Sequence, residues 1–277
     1  MNAPVEATSS LNAVHGVILD LDGVVYWGAE PLPGAAEFIA FLARTERRVV
    51  ALTNHAGATP AAYSEKLRRL GITLPASKII TSAWATARYL QDLAPGAGVW
   101  VLGSQALRAA LLEAGFVEAT GPGAAPYHIP SYVPDYVVVG FDAELHFSKL
   151  TQATQYLLRG AELIGCNPDA LLPTPDGPVP ESGPTLAFLE AASGKKAAVI
   201  GKPNPWVFRQ ALVRLGRSEE ETVMVGDTLQ TDIAGGRAAG VRTALVLTGN
   251  TKEAAGHEAT VVARDLYELK TLLEVAS

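Results

Sequence analysis

The stretch Val17 to Val25 constrains this chain more than any other. Three apolar residues, Val17-Ile18-Leu19, run straight into Asp20-Leu21-Asp22 and then Gly23. An apolar run that is β-branched at two positions reads as a buried strand of a parallel sheet. Open α/β sheets collect their ligands at the carboxyl ends of such strands. Alternate side chains of a strand share a face, so Asp20 and Asp22 start out on the same side. Like charges that close repel, unless a cation lies between them or one carboxyl keeps a proton. Asp-Gly pairs also mark plain turns, but the strand before this pair and the polar clusters described below favour metal-dependent chemistry.

Along the chain, apolar strands alternate with amphipathic helices. Helix Ala35–Arg44 is followed by strand Arg48–Asn54, helix Pro60–Leu70 closed by Gly71, strand Lys78–Ser82 and helix Ala83–Leu93. This is the pattern of a parallel sheet with crossover connections. Pro95-Gly96-Ala97-Gly98 has the composition of a linker. A second series follows: strand Val99–Gly103, helix Gln105–Glu113, an irregular stretch Gly121–Pro134, strand Tyr136–Gly140, helix Ser148–Arg159 and strand Ala161–Gly165. The proline-rich loop Cys166–Pro180 and helix Thr185–Ala192 complete it. The first plan then returns in Val199–Pro203, helix Trp206–Leu215, strand Thr222–Asp227, helix Asp232–Ala239 and strands Thr243–Leu247 and Thr260–Val262. The expected fold class is α/β, with a core of residues 1–95 and 196–277 interrupted by a smaller α/β unit of residues 96–195.

A chain of 277 residues, 48% hydrophobic and 18% charged, can bury a sizeable core. Its formal net charge of -6 offers no basic footprint for nucleic acid or an anionic membrane. Phosphate chemistry would therefore rest on local charge and a metal. The single cysteine, Cys166, excludes an intrachain disulfide and a multi-cysteine zinc site, which fits a reducing cytoplasm. No apolar run reaches the roughly 18 residues of a membrane span. Met1–Asn12 lacks the basic and apolar regions of a signal peptide and reads as a frayed tail.

Four polar clusters stand out: Asp20/Asp22, Thr53/Asn54, Lys202 and Asp227/Asp232. Three of them end apolar strands, so parallel neighbours would bring those three to one sheet edge, which Lys202 reaches from a loop. Carboxylates without nearby histidine or cysteine favour a hard cation, Mg²⁺ before zinc. A hydroxyl, an amide and an ammonium beside such a cation make a cradle for phosphate. One carboxylate could then attack phosphorus, giving an aspartyl-phosphate that water cleaves. Each cluster also has a plainer reading. Asp232 could simply stabilise a helix N-terminus, and Lys202 could be a surface lysine. Cys166 has no histidine close in sequence and is read as a buried, non-catalytic thiol.

Asp20-Leu21-Asp22-Gly23-Val24-Val25-Tyr26, Thr53-Asn54, Gly201-Lys202-Pro203-Asn204-Pro205 and Gly226-Asp227-Thr228-Leu229-Gln230-Thr231-Asp232-Ile233 resemble the four motifs of the haloacid dehalogenase (HAD) superfamily. The insert between the second and third motifs resembles class IIA, the capped branch with NagD-like nucleotidases and 4-nitrophenyl, phosphoglycolate and pyridoxal phosphatases. The resemblance implies a Rossmann-like parallel-sheet core with the smaller inserted α/β cap domain of that class. It implies Asp20 as nucleophile and metal ligand, and Asp22 as general acid/base whose backbone carbonyl binds Mg²⁺. Thr53, the Asn54 backbone and Lys202 would hold phosphate, Asp227 would complete the metal site, and Asp232 would support it from behind. The family often shows Thr-Asn-Asn where this chain has Thr53-Asn54-His55. His55 is read first as an exposed loop residue and second as a substrate ligand. The loop from Cys166 to Asp176 resembles the cap segment that faces substrate, which makes Asn167 another candidate contact.

The expectation is a Mg²⁺-dependent phosphatase of small phosphorylated metabolites, cytoplasmic, with no nucleic-acid or membrane partner, pairing as a homodimer through the cap. A phosphomutase needs the same two aspartates, and a non-catalytic binding protein could keep the fold. A dehalogenase would have no use for Asp22.

Overall fold

The computed structural model describes residues 11–119, 132–174, 176–253 and 258–276. In chain order, β1 (Gly16–Leu19), α1 (Ala35–Arg44), β2 (Arg48–Thr53), α2 (Pro60–Arg69), β3 (Ile79–Thr81) and α3 (Ser82–Leu93) come first. Next are β4 (Gly98–Leu102), α4 (Gln105–Glu113), β5 (Val117–Glu118), β6 (Tyr136–Val139), α5 (Phe147–Leu158), β7 (Glu162–Gly165), α6 (Ser182–Ser193) and β8 (Ala198–Val199). The chain closes with α7 (Pro205–Leu215), β9 (Thr222–Gly226), α8 (Ala234–Ala238), β10 (Arg242–Val246), β11 (Val261–Ala263) and α9 (Leu266–Val275). The α/β expectation holds, with parallel strand pairs in both main sheets.

Compactness divides the chain into two units. The first takes in the described residues of 1–53, 60–80 and 202–277, the second those of 54–59 and 81–201. The second unit takes in α3, which packs on α4, and runs on through β8, which pairs with β7.

The first unit is built on a six-stranded sheet of order β11-β10-β9-β1-β2-β3. β1 is buried along its whole length, as its continuous apolar run requires of a central parallel strand. α1 buries Phe38, Ile39, Phe41 and Leu42 and packs against α9. Leu11 is fully buried, so the expected frayed tail does not extend to it, and residues 1–10 lie outside those described.

The second unit has a five-stranded parallel sheet of order β8-β7-β6-β4-β5. Trp100, Leu102, Val137, Val139, Tyr156, Leu163 and Leu189 form its core, with the Trp100 and Tyr156 rings 5.7 Å apart. Most of the stretch expected to be irregular, Gly121–Pro134, falls outside the described residues. The loop 166–180 is not structureless: Leu171–Leu172 pairs antiparallel with Val179–Pro180.

Candidate active site

β1 lies between β9 and β2, and the strand order turns around there, since the chain goes from β1 outward through β2 to β3 and comes back on the far side. Such a switch point opens a crevice at the carboxyl ends of the strands. The register sets Leu19 beside Val225 and Ala51. The Asp20 N–H donates to the Val225 carbonyl at 2.9 Å, so β1 and β9 end together. Asp20 and Asp227 thus leave neighbouring strands at the same edge. Asp20, Asp227 and Asp232 each offer a carboxylate oxygen within 4.8 Å of the others, and all three residues are buried.

Lys202 supplies the countercharge. Its Nζ donates to Asp20 Oδ1 at 2.5 Å and to Asp232 Oδ1 at 2.6 Å, with only 2% of the residue exposed. Asp232 Oδ2 accepts from the backbone N–H groups of Asp227 and Thr228, each at 3.1 Å. Asp227 accepts from the Thr228 hydroxyl at 3.0 Å and from the Asn250 N–H at 2.5 Å. Burial pushes the Asp20 carboxyl well above the usual range; Lys202 pulls it down, while Asp232 and Asp227 push it up again. Asp227 is raised to about 6 by burial and then by Asp232. For Lys202 burial opposes the charge, but Asp20 and Asp232 outweigh it and hold the ammonium above its ordinary value.

Asp22 is half-buried and turns its carboxyl elsewhere. Its Oδ2 accepts from the Tyr26 hydroxyl at 3.0 Å. Gly23 makes that turn with φ +81°, and a Cβ there would come within 2.5 Å of Asp227 Oδ2, so only glycine suits both the backbone and the space. Thr53 closes β2 and is buried. Tyr26 is not among the residues expected at the site. Its only signal in the sequence is its position at the end of the first motif.

The remaining candidates form a second cluster, within the second unit. Asn167 donates to the Asn54 carbonyl at 2.7 Å and to Glu181 Oε1 at 2.9 Å, and its Oδ1 accepts from the Asp169 N–H at 3.0 Å. The Asn54 amide donates to Asp169 at 3.0 Å, and the Ser82 hydroxyl also reaches the Asn54 carbonyl. Asn167 is completely buried, and its amide ties the Asn54 carbonyl to Glu181. His55 is not an exposed loop residue either. Its Nδ1 lies 3.6 Å from Glu181 Oε1, and its ring leans on Phe141 at 5.2 Å. Cys166 is buried, and burial pushes its thiol up to about 12, consistent with a non-catalytic residue.

Residues 17–117 match the haloacid dehalogenase-like hydrolase family, and residues 199–269 match a second HAD-hydrolase-like family. The acid sugar phosphatase of Staphylococcus aureus is 37% identical over 84% of this chain and 86% of its own length. The chain belongs to the haloacid dehalogenase-like hydrolases. Among solved structures of similar proteins, 4-nitrophenylphosphatase of Thermotoga maritima superposes with a TM-score of 0.85 at 33% identity, over 95% of this chain and 98% of that one. A glycerol phosphate phosphatase of Mycobacterium tuberculosis, in complex with magnesium, superposes at 0.83 with 30% identity, over 95% and 79%.

The donor set in this HAD-like hydrolase suits a hard divalent cation. It is all oxygen, and its carboxylates are pressed together at the cost of raised pKa values that a cation would reverse. Asp20, Asp227 and Asp232 are the residues whose carboxylates could hold it.

Proposed function

We propose that this protein is a Mg²⁺-dependent phosphomonoester hydrolase of small phosphorylated metabolites that works through an aspartyl-phosphate on Asp20. The observation that carries the reading is the buried group of Asp20, Lys202, Asp227 and Asp232 at the end of β1. The phosphatase names of the similar proteins support the ester class.

In this reading Lys202 holds Asp20 and draws in the phosphoryl oxygens, which the Thr53 hydroxyl and the Asn54 backbone N–H also bind. Asp20 attacks phosphorus in line, the bond from phosphorus to the leaving oxygen breaks, and Asp22 gives that oxygen a proton. Water then attacks the phosphorylated Asp20 while Asp22 takes up the water's proton. Asp20, Asp227 and the Asp22 carbonyl, with Asp232 behind them, would hold Mg²⁺, which would supply positive charge to offset the charge developing on the phosphoryl group. Residues 96–195 act as the cap that selects the ester, and the protein works in the cytoplasm, as a dimer through that cap.

Asp20→Asn should reduce 4-nitrophenyl phosphate hydrolysis at least about a thousandfold, as loss of a covalent nucleophile does, while circular dichroism stays native. EDTA should silence the wild type and Mg²⁺ restore it. Full turnover by Asp20→Asn, or restoration by zinc alone, would refute the reading.

A further inference from the structure

Tyr26 is completely buried, yet its hydroxyl ends on a residue at the reaction centre. The loop between them is tightly held. The Gly23 N–H donates to the Tyr26 carbonyl at 2.9 Å, and the Val25 and Tyr26 N–H groups both donate to the Leu21 carbonyl, at 2.8 and 3.3 Å. Lys66, half-buried on α2, sets its ammonium 3.4 Å from the centre of the Tyr26 ring, a cation–π contact that fixes the ring from one face. A buried phenol normally finds a partner for its hydroxyl. Here the partner is Asp22 Oδ2, and the whole arrangement holds one oxygen of that carboxyl in place.

We propose that Tyr26 is a positioning residue for Asp22: its hydroxyl occupies Oδ2, so that the carboxyl proton rests on Oδ1 and is delivered from there to the leaving group. The inference rests on the reading of Asp22 as general acid. A carboxyl oxygen that already accepts a hydrogen bond is the poorer home for the carboxyl's own proton. With the phenol in place, one oxygen accepts and the other donates. Without it the proton is shared between two oxygens and the carboxyl turns freely. Proton delivery matters in proportion to the basicity of the leaving oxygen. Nitrophenolate departs as a stabilised anion with little help, whereas phenolate and alkoxides need the proton. Tyr26 therefore governs how well the enzyme cleaves esters with poor leaving groups.

The test is a set of aryl phosphates, from 4-nitrophenyl to unsubstituted phenyl, followed by kcat/KM, which reports steps up to departure of the leaving group. Tyr26→Phe removes a single oxygen and keeps the ring. It should lower kcat/KM on phenyl phosphate about five- to tenfold, the worth of one hydrogen bond, and leave 4-nitrophenyl phosphate within about twofold. Log kcat/KM would then fall more steeply with leaving-group basicity than in the wild type. An equal loss on every ester would show a merely structural tyrosine, and no loss would show an idle one; either overturns the proposal. Asp22→Asn run in parallel separates the two readings. A steep dependence in Asp22→Asn with a wild-type dependence in Tyr26→Phe sinks the role of Tyr26 alone, and a flat one in Asp22→Asn sinks the general-acid reading beneath it.

Discussion

Asp232 sits in sequence where any acidic residue would help a helix start, but the fold gives it three donors. Lys202 binds one oxygen, and the N–H groups of Asp227 and Thr228 bind the other. Asparagine would put an NH₂ against either the ammonium or the two N–H groups, leaving buried donors facing donors. Asp232→Asn should therefore lose about 2–4 kcal/mol of stability, the cost of breaking one side of a buried charged network, and at least about tenfold in activity. Urea unfolding in EDTA reads the first effect without any metal; unchanged stability there would mean that the carboxylate serves the cation and not the turn. Asp20, Asp22 and Asp227 were legible because each follows an apolar run. The three bonds of Asp232, the Tyr26 bond to Asp22 and the Glu181–Asn167–Asn54 chain were not, since they join residues through tertiary contacts that no local spacing rule encodes.

At the scale of elements, periodicity places most boundaries within a residue or two, and the exceptions have physical causes. α6 begins at Ser182 and not at Thr185, because Gly183 and Pro184 look like breakers but a proline is tolerated in a helix's first turn. The segment expected to be helical from Asp232 opens instead as a wide π-type turn over Leu229–Ile233, where Asp232 folds back on the N–H groups of Asp227 and Thr228. α9 is not among the expected elements, although its signals are present. Asp265 accepts from the Glu268 N–H at 2.9 Å, and Leu266, Leu269 and Leu273 share the buried face. Glu268 in turn accepts from the Arg264 N–H at 2.7 Å, so the start of the helix is secured from both sides. α9 covers α1 in the first unit, and Arg47 reaches the Leu273 carbonyl. Asp265→Ala should cost about 1 kcal/mol, the ordinary worth of an N-cap, seen as a lower urea midpoint with kcat/KM unchanged. A loss of activity at full stability would contradict a purely capping role.

For the whole molecule, the alternation of strands and helices made two parallel sheets legible, because each strand buried on both faces must be apolar throughout. The form of the loop 166–180 was not legible, since its paired strands Leu171–Leu172 and Val179–Pro180 are two residues each, too short to show an alternating pattern. The charge at the switch point, by contrast, reaches the stability of the fold. Without a metal, burial and then Asp232 push the Asp227 carboxyl up to about 6, from an ordinary value of 3.8. Between those values the native state holds more protons than the unfolded chain, so this group's contribution to stability declines as pH rises from about 4 to about 6 and then levels off. A divalent cation competes with the same proton, so its binding strengthens across that window. Mg²⁺ at about a hundred times its Kd should add about 2.7 kcal/mol, and the gain should be larger at pH 7 than at pH 5. Urea midpoints in EDTA and in fixed Mg²⁺ at the two pH values measure it. Asp227→Asn should make the metal-free decline shallower and reduce the metal gain. A wild-type gain equal at both pH values would detach Asp227 from the cation, and no gain at either would remove the cation from the site.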